Sequence, residues 1–337
     1  MTAPRLSVVL PVYNGKEFLA EALDSVLRQT FRDFEVLVID DASTDGSGAV
    51  AEDFRDPRVR IVRHDQNRRL PATLNHGLDL ARGEFVARMD ADDVCLPARF
   101  ARQIAFLDAH PDVVVCGTWV RLFGAGAERV RTYPVSPEAV EAFRFFHCPF
   151  AHPTVMVRRT WLEERRLRYD SAAVAVEDFD LWTRLLPSAR GANLPAALLR
   201  YRLHGASVTV RDWTAMEDNS ARVLRAALRE IRPDVSEEEV RFHRQVAMAE
   251  IPPDVASLRR AGAWLERIAP ALDRNRAARE VLREVWFRLA MREAPAAGWT
   301  ALHEALGGAF PRRYGLSFRQ RALIVGSAAK GWAGGAR

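Results

Sequence analysis

The chain has 337 residues, 48% of them hydrophobic, enough for one large domain or two ordinary ones and too apolar for disorder on a large scale. Its formal charge of +5 is carried almost wholly by arginine, with lysine only at positions 16 and 330; this mild excess suits an anionic substrate, an anionic membrane surface or no particular partner. Cys95, Cys116 and Cys148 stand far apart with no CxxC pair, which excludes a disulfide framework and a thiolate zinc site and predicts a reducing compartment.

From residue 6 to about 120, short β-branched runs alternate with amphipathic segments, the pattern of βαβ units around a mainly parallel sheet. Residues 6–10 form a first strand, followed by Pro11-Val12-Tyr13-Asn14 and a helix with Phe18, Leu19, Ala22, Leu23, Val26 and Leu27 at helical spacing. A second strand over 34–39 runs into Asp40-Asp41 and a capping turn at 43–47, and a third covers 59–62. A helix is predicted over 72–81 with Gly83 closing it, then a strand over 84–89 that delivers Asp90-Ala91-Asp92-Asp93. Residues 97–109 read as a helix with proline in its first turn and 113–116 as a buried strand, whereas 123–150 lacks a sustained period and reads as loops and a lid.

Glu177-Asp178-Phe179-Asp180-Leu181-Trp182 opens an apolar helical stretch ending near Leu186. Beyond Trp213 the pattern is almost wholly helical, with a capping box at 236–239 and an apolar stripe of Val281, Leu282, Val285, Trp286 and Leu289. The expected domains are 1–212, catalytic, and 213–337, helical. The tail from Arg312 mixes Arg312, Arg313, Arg319, Arg321 and Lys330 with Leu316, Phe318, Leu323, Ile324, Val325 and Trp332. That composition fits an interfacial amphipathic segment, or equally a helix docked on its own domain. No run has the layout of a signal peptide and none approaches the roughly 20 apolar residues that cross a bilayer. A cytoplasmic protein, or one peripheral on the cytoplasmic face of the membrane, is expected.

In an open α/β sheet the carboxyl ends of parallel strands share one edge, so these acidic clusters would converge there. Such carboxylates repel one another unless a cation sits among them. Hard oxygen ligands such as those of 90–93 suit Mg2+ or Mn2+ shared with a diphosphate; the plainer reading is a cap for the following helix. Asp40-Asp41 fits an acceptor for a pyrimidine imide or a ribose hydroxyl, or an Asx turn. A carboxylate of 177–180 fits a general base, or an acidic first turn favoured by the helix dipole. His152 and His204 have no histidine partner at metal-ligand spacing, so a core or loop role is the default. The absence of GxxxxGK[ST], GxGxxG and GxSxG patterns argues against kinase, dinucleotide-linked dehydrogenase and serine hydrolase functions.

The strings 8–14 (VVLPVYN), 38–46 (VIDDASTDG), 87–93 (ARMDADD) and 177–182 (EDFDLW), in this order and spacing, closely resemble the motifs of family 2 glycosyltransferases of GT-A fold. Residues 151–154 (AHPT) and 201–207 (YRLHGAS) resemble secondary signatures of the same family, so the likeness spans about 5–210 and leaves the helical remainder uncovered. It implies a GT-A fold, α/β with a mainly parallel central sheet flanked by helices; the C-terminal helical appendage is read from the pattern beyond Trp213. The activity it implies is metal-dependent, inverting transfer of a sugar from a nucleotide diphosphate to a hydroxyl acceptor in polysaccharide, lipid-linked oligosaccharide or glycoconjugate synthesis. By resemblance, Pro11, Tyr13 and Asp41 line the nucleoside pocket with Asp40 close by, and Asp90 supports the ion or the donor ribose and sugar. Asp92 and Asp93, with His204, are the metal ligands. Arg202 and His204 close over the diphosphate, Asp178 is the base, and Glu177 and Trp182 shape the acceptor side. A UDP-sugar is the favoured donor, with GDP- and dTDP-sugars as alternatives. Arg68 and Arg69 stand where similar proteins often carry a glycine-rich turn, which bears on donor choice.

Three rival functions make demands that this sequence does not meet. A sugar-phosphate nucleotidylyltransferase would need a glycine-rich loop with arginine and lysine where Pro11-Val12-Tyr13-Asn14 stands. A catalytically silent sugar-nucleotide scaffold would not need Asp178 together with Asp92. A nucleic-acid binder would gather its arginines into one stripe with stacking aromatics, and here they are dispersed.

Overall fold

The computed structural model describes residues 3–205 and 213–334, so Ala206 and Ser207 of the second signature lie outside the described residues. The chain divides into two compact units, one of Met1–Val140 with Cys148–Asn219 and one of Glu141–His147 with Ser220–Arg337.

The first unit opens with β1 (Leu6–Val12), α1 (Lys16–Leu27), β2 (Phe34–Asp40), α2 (Ser47–Glu52), β3 (Val59–Arg63), α3 (Arg69–Leu80) and β4 (Phe85–Arg88). Every residue of β1, β2 and β4 is buried, as strands covered on both faces must be. They pair in parallel in the order β3-β2-β1-β4, so the carboxyl ends that carry Val12, Asp40 and Asp90 share one edge. The polar turn between α3 and β4 is pinned to β1. Ser7 Oγ accepts from Arg82 N at 3.0 Å and Gly83 N at 2.9 Å and donates to Glu35 Oε1 at 2.7 Å.

The chain continues through β5 (Val94–Cys95), α4 (Arg99–Ala109), β6 (Val113–Gly124), β7 (Arg129–Arg131), α5 (Pro137–Phe143), a 3-10 turn (His152–Thr154), β8 (Met156–Arg158), α6 (Arg159–Glu164), α7 (Glu177–Leu185) and β9 (Arg190–Leu203). Beyond β4 the sheet becomes mixed: β8 runs antiparallel to both β4 and β6, β9 runs parallel to β6, and β5 runs antiparallel to β9. The region read as loops and a lid contains the end of β6, β7 and α5. Its aromatic residues Phe145, Phe146 and Phe150 are buried, so packing rather than a regular period organises it.

In the second unit, α8 (Trp213–Ile231), which begins in the first, leads to α9 (Glu237–Met248), α10 (Val255–Leu272), α11 (Arg276–Gly307), α12 (Ala309–Tyr314) and α13 (Phe318–Gly334). Ser236 and Glu239 form the expected capping box, and the Val281 to Leu289 stripe is buried. Trp286 Nε1 donates to Ala305 O at 3.0 Å. A straight helix would hold residues at that separation about 28 Å apart, so α11 folds back on itself, with Pro295 and Gly298 between the two. Segment 141–147 is built into this unit: Arg144, 2% exposed, pairs with Glu230, and His243 Nε2 donates to Phe145 O at 2.5 Å. Trp264 Nε1 donates to His243 Nδ1 at 3.0 Å, which fixes the tautomer, and burial pushes His243 down to about 4, so the ring is a neutral tether.

Candidate active site

The loop after β1 and the loop after β2 hold each other. Asn14, at φ 53°, accepts from Thr44 N at 2.9 Å through Oδ1, and its own N–H donates to Ser43 Oγ at 3.0 Å. Pro11 is buried and Tyr13 is exposed beside it in sequence. Asp40 is wholly buried; Oδ1 accepts from Ser43 N at 2.9 Å and Oδ2 lies 3.5 Å from Arg63 Nε, so the side chain braces its own turn. Asp41 differs. Its Oδ1 accepts from Arg68 N at 2.9 Å and lies 2.7 Å from His64 Nδ1, while no bond to Oδ2 is formed among the described residues. Arg68 and Arg69 side chains are exposed.

At the end of β4 the strand delivers Asp90, Asp92 and Asp93, one carboxylate oxygen of each lying within 4.8 Å of the others. Burial, then the neighbouring Asp90 and Asp92 charges, raise the Asp93 carboxyl well above the usual range; burial chiefly raises Asp90. Asp93 Oδ1 accepts from Arg202 N at 2.8 Å, whereas Asp93 Oδ2 is buried with no hydrogen-bond partner among the described residues. An orphaned buried carboxylate oxygen beside two further carboxylates is what an oxygen-loving divalent ion would satisfy, so the residues fit Mg2+ or Mn2+. His204 Nε2 lies 2.9 Å from Asp92 Oδ2, placing a nitrogen donor at the same rim. Arg202 Nε donates to Asp92 O at 2.7 Å, its guanidinium lies over the Phe18 and Phe123 rings and its far end pairs with Glu21. β9, with the residue that follows it, thus brings both sequence-predicted residues to the cluster.

In the sequence Arg88 reads as a strand residue just before the acid run, yet it is a cation built into this site. It is 6% exposed and grips both oxygens of Asp90 in a forked pair. An arginine inside a strand usually reads as surface, and only its position two residues before the acid run could have signalled otherwise.

The 177–180 cluster forms the first turn of α7. Asp178 Oδ1 accepts from Phe179 N at 2.7 Å, and Oδ2 accepts from Cys148 Sγ at 3.3 Å; burial raises its carboxyl. Burial and the adjacent Asp178 push Glu177 up to about 7. Asp178 also raises Asp90, so the two acidic groups share one electrostatic field. His152 Nδ1 lies 3.8 Å from Glu177 Oε1, and its Nε2 is 3.0 Å from the Tyr169 hydroxyl. Burial, then Arg88, hold His152 well below its ordinary range, so it is a neutral wall of the site. Trp182 is 1% exposed and meets Phe150 edge-on at 5.5 Å; it supports α7 from within rather than presenting a surface. Together with Arg88, Tyr169, Leu74 and Leu181 it lines a small internal cavity.

A family model described as glycosyl transferase family 2 matches residues 7–166. EpsE of Bacillus subtilis (strain 168), named as a glycosyltransferase, is 35% identical over 237 residues, covering 68% of this chain and 84% of its own. The O-antigen biosynthesis glycosyltransferase WbnJ of Escherichia coli is 32% identical over 212 residues, 60% of this chain and 81% of WbnJ. Among solved structures, the mannosyltransferase PcManGT of Pyrobaculum calidifontis, in complex with GDP-Man and Mn2+, superposes with a TM-score of 0.54 at 22% identity, covering 98% of this chain and 88% of that one.

Proposed function

This chain belongs to glycosyl transferase family 2, and from that premise we propose that it moves a sugar from a nucleotide-diphosphate donor to a hydroxyl of a growing surface glycan, with inversion. The observation that carries the reading is the cluster of Asp90, Asp92 and buried Asp93, with its orphaned Asp93 oxygen, lying in the electrostatic field of Asp178. Asp178 is the base: it takes the proton from the acceptor hydroxyl as that oxygen attacks the anomeric carbon, while the bond from that carbon to the diphosphate breaks on the opposite face. One displacement inverts the centre and leaves no covalent sugar-enzyme intermediate.

Asp92, Asp93 and His204, with Asp90 in support, would hold Mn2+ or Mg2+, whose chemistry is to neutralise charge on the departing nucleoside diphosphate. Arg88 fixes the Asp90 carboxylate through its fork. Arg202 holds the rim over Asp92 and Asp93, where a diphosphate would enter. Tyr13, Pro11 and Asp41 receive the nucleoside, and Asp40 braces their loop. PcManGT, with GDP-Man and Mn2+, supports a nucleotide-sugar donor and a divalent ion, and WbnJ supports a surface polysaccharide product. A silent scaffold is the weaker reading, because carboxylates that fit a base and an ion site are both retained.

We extend the proposal to a peripheral position on the cytoplasmic membrane face. No helix among the described residues is long and apolar enough to cross a membrane. On α13, however, Phe318 is 89% exposed and Leu323 and Val325 are 46% and 45% exposed, and residues 305–337 contain Arg312, Arg313, Arg319, Arg321, Lys330 and Arg337 with no acidic residue. Co-sedimentation with anionic but not neutral vesicles is the expected result; equal recovery with both would remove the membrane from the reading. The central test is calorimetric titration of the full chain with UDP, GDP and dTDP, each with and without Mn2+. Metal-dependent binding of one nucleotide is expected, and a folded chain that binds none would overturn the donor assignment.

A further inference from the structure

A chain of side chains leads away from Asp41 into the body of the first unit. Asp41 Oδ1 lies 2.7 Å from His64 Nδ1, and His64 Nε2 lies 2.7 Å from His76 Nδ1. The two rings stack 17° from parallel with centroids 5.0 Å apart. His64 follows β3, is 4% exposed, and its N–H donates to Asp40 O at 2.8 Å; His76 projects from α3. Twelve residues separate the histidines, and the spacing carries no metal-ligand signature.

The proton positions follow from chemistry. A carboxylate only accepts, so the His64 nitrogen facing Asp41 carries a hydrogen. One hydrogen lies between His64 Nε2 and His76 Nδ1, and whichever nitrogen holds it the bond keeps the His64 ring turned toward Asp41. Burial, then His64 and Arg68, hold His76 below its ordinary range, in keeping with a neutral ring. Asp41 Oδ1 therefore takes two hydrogen bonds, from His64 and from Arg68 N, whereas Oδ2 takes none from the described residues.

We propose that His64, oriented by His76, is a positioning residue for nucleobase choice: by saturating Asp41 Oδ1 it leaves Oδ2 as a fixed acceptor that selects a base with a ring N–H. Uracil, thymine and guanine carry such a hydrogen; cytosine and adenine turn a ring-nitrogen lone pair toward the carboxylate at that position and can offer only their exocyclic amino group. The inference rests on Asp41 lining the nucleoside pocket, as proposed above.

The test is titration of the full chain, with Mn2+ present, by UDP, GDP, dTDP, CDP and pyrophosphate, the last a probe without a base. His64→Ala should weaken the preferred nucleotide about tenfold, the worth of one hydrogen bond to a charged group, and leave pyrophosphate within about twofold. His64→Asn puts an amide N–H near the Nδ1 position and should recover binding to within about threefold of the parent; His64→Gln puts it near Nε2 and should not. The Asn and Gln pair carries the comparison if the alanine variant does not fold. In turnover assays the loss should fall on the donor KM rather than on kcat. Equal binding by His64→Ala and the parent, equal loss in Asn and Gln variants, or a parallel loss of pyrophosphate binding would overturn the inference. A parent chain that binds pyrophosphate but no nucleotide would instead defeat the nucleoside-pocket reading beneath it.

Discussion

At the scale of single residues the site is a set of buried and half-buried acids, with Arg88 clamped on Asp90 and Arg202 at the rim. Asp178→Asn should cut turnover by about 10²–10⁴ while donor binding stays near that of the parent, since a general base acts only on the acceptor proton. Unchanged turnover would take the base role from Asp178. Glu177 gives a stability signature. Its carboxyl is raised from 4.5 to about 7 in the folded chain, so the folded state binds a proton that the unfolded state releases. That contribution is complete below pH 4.5 and is lost as the pH rises through about 7. Melting temperature should therefore fall between these limits, and Glu177→Gln should flatten the fall; an unaltered slope in the variant would assign the dependence to other groups. Arg88 shows what was hidden at this scale. Its charge is legible in the sequence, but not that it is buried and clamped on Asp90, because burial of an arginine is decided by its partners and not by its own run.

Among the elements, β1, β2 and β4 were legible because each is a short apolar run buried along its whole length, and the acids at their ends inherit their convergence from parallel pairing. The reversal at β8 was not legible. Three residues, Met156–Arg158, are too few to show a period, and β5 has only two. The link from His64 to His76 was also hidden, since it exists only once β3 and α3 lie side by side. Gly83 makes a test of how tightly the turn before β4 is built. A Cβ there would stand 2.5 Å from Ser7 N and 2.7 Å from Leu6 C, backbone atoms of β1 with little room to yield. Gly83→Ala should cost about 1–3 kcal/mol in denaturant unfolding, as overpacking does. A loss below about 0.5 kcal/mol would mean that the turn relaxes freely.

At the scale of the whole molecule, the helical unit includes seven residues, Glu141–His147, from the middle of the chain. Composition revealed the change to helices after Trp213, but nothing in the sequence marked this insertion, because Phe145 and Phe146 read there as part of an aromatic loop. Both are buried, at 3% and 0%, and His243 holds the Phe145 carbonyl. A chain ended after Asn219 should therefore be largely insoluble on expression, and replacing Phe145 and Phe146 with glutamine should raise its soluble fraction. A soluble, monomeric fragment without those changes would show the segment to be self-sufficient. The insertion also sets the terms on which parts could be exchanged with related enzymes. A graft of the helices made by one cut at 219/220 leaves the recipient's own 141–147 facing a foreign groove; a transplant that keeps its fit must carry two pieces of chain through three junctions, at 140/141, 147/148 and 219/220.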